Sequence, residues 1–252
     1  MRIATYNIWN SKEGMPHRKK HVVEEIRKIN ADIICLQEVS DRKLAEMIAT
    51  ESDYSFCYFE HYTGEEEGLA ILSRKPFVRS ISLLDGANAL MGLFEVHGKT
   101  VGIVNLHLPW DSPRKRAGQM IDIDSCVEHE QCDYAILAGD FNCSETSDVN
   151  RFLLGECLLD GKEAKRNWFD LALSYAERTN EQLEYTLNFM ENPRFINNTI
   201  EINSRVDRIM LRNTYPEEFP ILQGCQVFGQ TVYEETKLAA SDHYGVSVDM
   251  DF

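Results

Sequence analysis

The chain has 252 residues, and 43% of them are apolar, which is enough for the core of a globular protein. Its 26 basic and 41 acidic side chains give a net charge of −15, which argues against extended, non-specific binding to a nucleic acid backbone. A small phosphorylated ligand, or one phosphate at the end of a chain, is compatible with an acidic protein.

Seven cysteines without a C-x-x-C pair or a zinc-type spacing indicate free thiols in a reducing compartment. The first residues do not have the charged-then-apolar layout of a secretion signal, and no apolar run approaches the length of a membrane span. We therefore expect a cytoplasmic monomer without membrane contact. No Gly/Ser/Pro-rich linker or repeat divides the sequence, so residues 1–252 are expected to form one domain.

The first elements in chain order are predicted to alternate between strand and helix. Arg2–Ile8 is predicted as a strand, and Pro16 is expected to open a helix with an apolar residue at every third or fourth position. The β-branched, apolar run Asp32–Leu36 is typical of a buried strand. Ser40 is expected to cap a second helix that extends through Ile48.

A group of strand-like stretches follows, separated by polar or glycine-containing turns. These stretches are Tyr54–Glu60, Leu69–Ser73, Phe77–Leu83, Leu90–Val96 and Val101–Leu106. Such a hairpin pattern is typical of an antiparallel sheet.

A further helix is predicted to start at Ser112-Pro113, and four more strands follow it. The later strands are Tyr134–Ala138, Val206–Leu211, Ile221–Phe228 and Tyr244–Met250. Strands dominate and helices intervene, which predicts an α/β fold. We expect a four-layer α/β sandwich, in which two packed, mostly antiparallel β-sheets are flanked by helices.

Polar side chains end, interrupt or directly precede apolar strands at several places in the chain. They are Asn7, the pair Gln37-Glu38, Asn105 with His107, Asp140 with Asn142, Asp207, and the pair Asp242-His243. Each alone has an ordinary explanation as a turn, cap or loop residue. If they meet at one rim, they must satisfy one another or a bound ion, because unpaired buried polar groups are costly. Carboxylates suit Mg²⁺ or Mn²⁺, and imidazoles beside a carboxylate suit proton transfer or phosphate binding.

In this order, the segments resemble the motifs of the endonuclease/exonuclease/phosphatase superfamily. The similar segments are Thr5–Trp9, Leu36–Val39, Gly68–Arg74, Asn105–Leu108, Gly139–Asn142, Val206–Ile209 and Ser241–His243. The resemblance extends from Arg2 to Val248, and the tyrosyl-DNA phosphodiesterase-like branch is closest in pattern. The sequence departs from some DNA-repair members at Trp9, where those members carry a metal-binding Asp.

The resemblance implies a phosphoesterase that depends on Mg²⁺ or Mn²⁺. It implies Glu38 as the main metal ligand, with Asn7 and Asp242 as further candidates. It also implies that Asp140 positions or deprotonates the attacking water, and that Asn142 holds this water and a phosphate oxygen.

Three further roles follow from the same resemblance. His243 and His107 are implied to contact the non-bridging phosphate oxygens. Asp207 is implied to accept a hydrogen bond from His243 and to fix the tautomer of that ring. Water would then attack in line, and no covalent nucleophile is required.

The substrate is less constrained by the sequence than the chemistry is. Trp9, Trp110 and Arg114 are candidates for substrate contact, although a packed tryptophan and a solvated first helical turn are the simpler explanation. Three hypotheses stay open at this point: a phosphodiesterase for a nucleic acid end or adduct, an esterase for a small or lipid phosphoester such as a sphingomyelin-type or sugar-phosphate substrate, and a non-catalytic binding module. The excess of acidic over basic residues favours the second hypothesis. The resemblance to the tyrosyl-DNA phosphodiesterase-like branch favours the first.

Overall fold

Two six-stranded sheets form the centre of the protein in the computed structural model, which describes residues 1–83, 85, 87–165 and 167–252. The first sheet contains β1 (Arg2–Asn7), β2 (Ile33–Val39), β3 (Phe56–His61), β4 (Gly68–Ser73), β11 (Ile221–Phe228) and β12 (Gly245–Asp251). The second contains β5 (Arg79–Ser82), β6 (Ala89–Val96), β7 (Lys99–His107), β8 (Tyr134–Asp140), β9 (Phe169–Asp170) and β10 (Asp207–Asn213). The helices are α1 (His17–Ile29), α2 (Arg42–Glu51), α3 (Pro113–His129), α4 (Asp148–Leu153) and α5 (Leu171–Thr179).

Each sheet contains one parallel pair of strands at its centre. The strand order is β11-β12-β1-β2-β4-β3 in the first sheet and β5-β6-β7-β8-β10-β9 in the second. The pairs β1/β2 and β7/β8 are parallel, and the other neighbours are antiparallel. The predicted α/β fold with mostly antiparallel sheets is therefore confirmed. The register of the second sheet places Asp140 beside both His107 and Asp207.

Alternating side chains on the strands explain the layers. On β2, Ile33 and Cys35 are buried in the core between the two sheets, whereas Ile34 and Leu36 lie in the cluster formed with α1 and α2. On the far side, α3 and α4 cover the outer face of the second sheet. Because both faces of these strands are buried, their sequences read as continuous apolar runs.

The helix starts follow the predicted capping chemistry with one correction. Ser112 caps α3 by accepting a hydrogen bond from the amide of Lys115, as predicted. The cap of α2 is Asp41 and not Ser40, because the Asp41 carboxylate accepts from the amide of Leu44 at 2.9 Å. The sequence did not predict α4, α5 or the two-residue strand β9.

All seven cysteines are free thiols, as their spacing predicted. Among the described residues, no helix combines the length and the apolar character needed to cross a bilayer.

Candidate active site

Glu38 reaches the rim of the first sheet through an irregularity in β2. The pairing of β2 with β4 changes register between Leu36 and Val39, and Glu38 itself has φ of 56°. Its Oε1 accepts a hydrogen bond from Asn7 Nδ2 at 2.9 Å, and its Oε2 accepts from the main-chain amide of Asn10 at 2.9 Å. The bulge therefore exposes a carboxylate that two donors hold in place.

Asn7 connects this carboxylate to the second sheet. The residue is fully buried at the end of β1, and its Nδ2 also donates to Asp140 Oδ2 at 3.1 Å. Its Oδ1 accepts from the main-chain amide of Trp9 at 3.0 Å, which fixes the orientation of the amide group. One side chain thus sets the separation between Glu38 and Asp140.

A second polar link lies below the rim, between the sheets. Asn105 is fully buried on β7, and its Nδ2 donates to the carbonyls of Leu36 at 2.9 Å and Ala70 at 2.8 Å. Its Oδ1 accepts from Gln37 Nε2 at 2.7 Å. Asn105 therefore supports the irregular part of β2 that carries Glu38.

Two imidazoles flank the buried carboxylate of Asp140. His243 Nδ1 lies 3.8 Å from Asp140 Oδ2, and His107 Nε2 lies 3.6 Å from the same oxygen. These separations are too long for hydrogen bonds, so neither imidazole is bonded to Asp140. His243 Nδ1 instead bonds Asp207 Oδ2 at 2.9 Å.

The charge state of the His243–Asp207 pair follows from its surroundings. Burial alone would lower the pKa of His243, but the carboxylates of Asp207 and Asp140 outweigh it and hold that pKa well above its ordinary value. Burial raises the pKa of Asp207, and the charge of His243 opposes this rise. A cationic imidazole paired with an anionic carboxylate accounts for the 2.9 Å contact in the presence of a second carboxylate.

Asn142 and Asp242 complete the rim. The main-chain amide of Asn142 donates to Asp140 Oδ1 at 2.8 Å, and its Nδ2 donates to the carbonyl of Leu108 at 2.9 Å. Asp242 Oδ1 accepts from Ser241 Oγ at 3.2 Å. Burial, and then the charge of Glu38, raise the pKa of Asp242, although His243 opposes them.

The oxygen-rich donor set fits a hard divalent cation. Ligand atoms of Asp140, Asp207 and His243 all lie within 4.8 Å of one another, but His243 Nδ1 is already bonded to Asp207. Glu38 is only partly buried, and its charge contributes to the raised pKa of Asp242. A cation at Glu38 would relieve this repulsion, and carboxylate oxygens are the ligands that Mg²⁺ and Mn²⁺ prefer.

The three candidate substrate residues have different surroundings. The guanidinium carbons of Arg194 and Arg18 lie 4.2 Å and 5.2 Å from the centroid of the Trp9 ring, so the protein itself packs against that ring. Trp110 is 79% exposed and lines a cleft of about 310 Å³ together with His107. Arg114 is exposed in the first turn of α3.

Sequence reasoning missed three residues that hold this site together. Asn192 Nδ2 donates to the carbonyls of Ser241 and Asp242, both at 3.1 Å. Asn10 bonds Glu38 through its main chain, and Tyr62 bonds His107 through its hydroxyl at 2.7 Å. The local sequence gives no signal for them, because their partners lie 28 to 50 residues away along the chain.

Solved structures of other proteins share this fold over the whole chain. The structure of D. rerio TDP2 complexed with single strand DNA product has a TM-score of 0.76 and 17% sequence identity, and covers 100% of this chain and 99% of its own. Truncated Caenorhabditis elegans TDP2 has a TM-score of 0.74 and 19% sequence identity, and the match covers 100% of this chain and 97% of the TDP2 chain. The endonuclease/exonuclease/phosphatase from Bacteroides vulgatus has a TM-score of 0.75 and 17% sequence identity, and the match covers 100% of this chain and 98% of the Bacteroides chain.

At these identities the likeness shows the fold alone. No curated protein matches the sequence significantly. The profile of the Endonuclease/Exonuclease/phosphatase family, however, matches residues 4–243, which include every polar strand end described above. The chain therefore belongs to the Endonuclease/Exonuclease/phosphatase family.

Proposed function

We propose that this protein is a Mg²⁺- or Mn²⁺-dependent phosphodiesterase that hydrolyses a phosphoester at a nucleic acid end, or an adduct at such an end. The observation that carries the proposal is the convergence of Glu38, Asp140 and His243 at one rim, where Asn7 bonds two of them. Family membership supports phosphoester chemistry. The fold shared with a TDP2 that was solved with a single-stranded DNA product supports a nucleic acid end as the substrate.

The side chains divide the reaction between them. Asp140 lies within 4 Å of both imidazoles without a hydrogen bond to either, so its Oδ2 can accept a proton from an attacking water. His243 is held as a cation by Asp207 and can neutralise charge that develops on a non-bridging phosphate oxygen. His107 can donate to a second oxygen from the opposite side of Asp140.

Glu38, Asp242 and Asn7 are the residues that would hold the cation, which when bound supplies Lewis-acid stabilisation of the phosphate. The hydrogen bonds of Asn7 to Glu38 and Asp140 keep this group and the water-activating group at a fixed separation. The arrangement requires no covalent intermediate, because Asp140 can activate water directly.

A second candidate function is hydrolysis of a small or lipid phosphoester. The cleft beside His107 is lined by Glu65, Glu67 and Asp111 as well as by Lys115. This acidic wall would repel the phosphates of a long strand, so it favours a substrate with few charges beyond the scissile phosphate.

One set of assays separates the candidates. We would measure hydrolysis of bis-p-nitrophenyl phosphate and of a 5′-tyrosyl oligonucleotide with Mg²⁺, Mn²⁺ or EDTA, for the wild type, Asp140→Asn and Glu38→Gln. The exposed hairpin residue Glu66 offers a matched control, Glu66→Gln. We expect EDTA to abolish activity, and Asp140→Asn to lower kcat by about 10²–10⁴-fold, as loss of a general base does.

Each outcome bears on one hypothesis. Activity that survives EDTA, or an unimpaired Asp140→Asn variant, contradicts the proposed mechanism. Turnover of the small diester without turnover of the oligonucleotide supports the second candidate function. A protein that turns over neither substrate with either metal is better described as a binding module.

A further inference from the structure

Tyr62 occupies a buried position between the two halves of the site. It follows β3, is only 3% exposed, and places its hydroxyl 2.7 Å from His107 Nδ1. The two ring centroids are 5.8 Å apart. The other ring nitrogen of His107, Nε2, lies 3.6 Å from Asp140 Oδ2.

The direction of the Tyr62–His107 hydrogen bond follows from the surroundings of the hydroxyl. Among the described residues, His107 Nδ1 is its one hydrogen-bond partner, so a phenol that accepted from Nδ1–H would leave its own buried hydrogen without an acceptor. The hydroxyl therefore donates to Nδ1. Burial, and then the charges of Glu67 and Glu38, raise the pKa of Tyr62 well above its ordinary value, so the hydroxyl keeps its proton.

A hydrogen bond accepted at Nδ1 fixes the tautomer of the neutral ring. The remaining proton of His107 must then be on Nε2, which faces Asp140. The opposite tautomer would point an Nε2 lone pair at a carboxylate oxygen, which is repulsive. Only the Nε2–H tautomer can donate a hydrogen bond to a phosphate oxygen placed beside Asp140.

We propose that Tyr62 is a positioning residue that holds His107 in the Nε2–H tautomer and fixes the orientation of this ring. The consequence for activity rests on the proposed function, in which His107 donates to a phosphate oxygen. The tautomer itself does not depend on any activity.

The matched pair of variants is Tyr62→Phe and Tyr54→Phe. Tyr54 is also buried, at 6% exposure, and its hydroxyl has no hydrogen-bond partner among the residues that the structure describes. Both substitutions remove one buried hydroxyl, but only Tyr62→Phe removes a bond to the site.

The first measurement is ¹⁵N NMR of the histidine rings at a pH where His107 is neutral, with its signals assigned from a His107→Gln variant. We expect the Nε2–H tautomer in the wild type and in Tyr54→Phe, and a mixture of tautomers in Tyr62→Phe. A wild-type protein with the proton on Nδ1 would overturn the proposal, even if the Tyr62→Phe variant failed to fold. An unchanged tautomer in folded Tyr62→Phe would overturn it as well.

The second measurement is steady-state kinetics with the substrate that the wild type hydrolyses best. Loss of a residue that orients a ligand-binding side chain typically costs about 10–100-fold in activity, so we expect kcat of Tyr62→Phe to fall by that factor. We expect Tyr54→Phe to match the wild type, and Tyr62→Phe to cause no further loss in a His107→Gln background. An inactive wild type with the expected tautomer would contradict the proposed function and still support the role of Tyr62.

Discussion

Asp207 is difficult to explain as a stabilising residue. Its side chain has no exposure to solvent, and its Oδ1 has no hydrogen-bond partner among the described residues. Removing a carboxylate from water costs roughly several kcal/mol, and the attraction within a buried ion pair often does not offset this cost. We therefore propose that its contact with His243 serves the reaction and not the stability of the fold.

The Asp207→Asn variant tests this explanation. We expect kcat to fall by about 10²–10⁴-fold, because His243 loses the carboxylate that keeps it charged and oriented. We expect the free energy of unfolding to fall by less than about 3 kcal/mol, the lower end for breaking a buried ion pair, because the neutral side chain of the variant can still accept a hydrogen bond from His243 and this ring can lose its proton. Steady-state kinetics and urea titrations measure the two quantities, and Asp249→Asn, at a partly exposed ion pair with Arg2, is the control. If the free energy of unfolding fell by about 3 kcal/mol or more and kcat did not change, the role of Asp207 would be purely structural.

At the level of single residues, the sequence predicted the groups at strand ends. Glu38 and Asp140 lie where apolar runs stop, and His243 lies just before β12. The sheet registers and the hydrogen bonds of Asn7 bring the first two together, and His243 Nδ1 lies 3.8 Å from Asp140. The sequence did not predict Tyr62 and Asn10. Only the fold brings Tyr62 to His107, 45 residues away, and Asn10 to Glu38, 28 residues away.

At the level of elements, periodicity decided what could be predicted. The helix α1 buries residues at the spacing of an amphipathic helix, and the sequence predicted it. In α5 the only buried residue is Leu171, so this helix has no apolar stripe to detect. The helix α4 has six residues, which are too few to establish a period.

The packing of β7 against β2 and β4 depends on Asn105. An Asn105→Ala variant would leave the carbonyls of Leu36 and Ala70 without this buried donor, and the side-chain amide of Gln37 would keep only its bond to Thr5 Oγ1 at 3.0 Å. Each unsatisfied group costs about 1–3 kcal/mol, and partial relaxation leads us to expect a total loss of about 3 kcal/mol in the free energy of unfolding.

Urea unfolding measures this loss, with Asn197→Ala as the control, because Asn197 is exposed. Isothermal titration with Mn²⁺ should also show weaker binding by the Asn105→Ala protein, since Asn105 supports the bulge that carries Glu38. If Asn105→Ala changed the free energy of unfolding no more than the control does, the packing of the two sheets would not depend on the hydrogen bonds of Asn105.

At the level of the whole molecule, the charge distribution limits the contacts available to a nucleic acid. The net charge is −15, and the basic residues at the start of α3 are partly engaged. Lys115 Nζ lies 3.4 Å from Asp111, and Arg116 donates to the carbonyls of Pro109 and Trp110. Lys115 and Arg116, beside the cleft of His107, are therefore less available to bind phosphates beyond the scissile one.

This distribution predicts a weak dependence of activity on salt. With one or two phosphate contacts on a single strand, log kcat/KM should fall with log salt concentration with a slope of about −0.7 to −1.4. The measurement is kcat/KM on a short single-stranded substrate at several salt concentrations with the metal concentration held constant. A slope steeper than about −4 would indicate a long basic track and would contradict recognition of an end alone.

The pairing of β1 with β12 has a consequence for biosynthesis. Ile3 pairs with Val248, so β12 must be synthesised before β1 acquires this neighbour. Asn7 and Glu38 leave the ribosome early, whereas Asp242 and His243 leave it late. Contacts between such distant residues form slowly, and a nascent chain exposes unpaired strand edges in the meantime. The proposed site therefore cannot assemble during most of translation, because two of its residues are among the last to emerge.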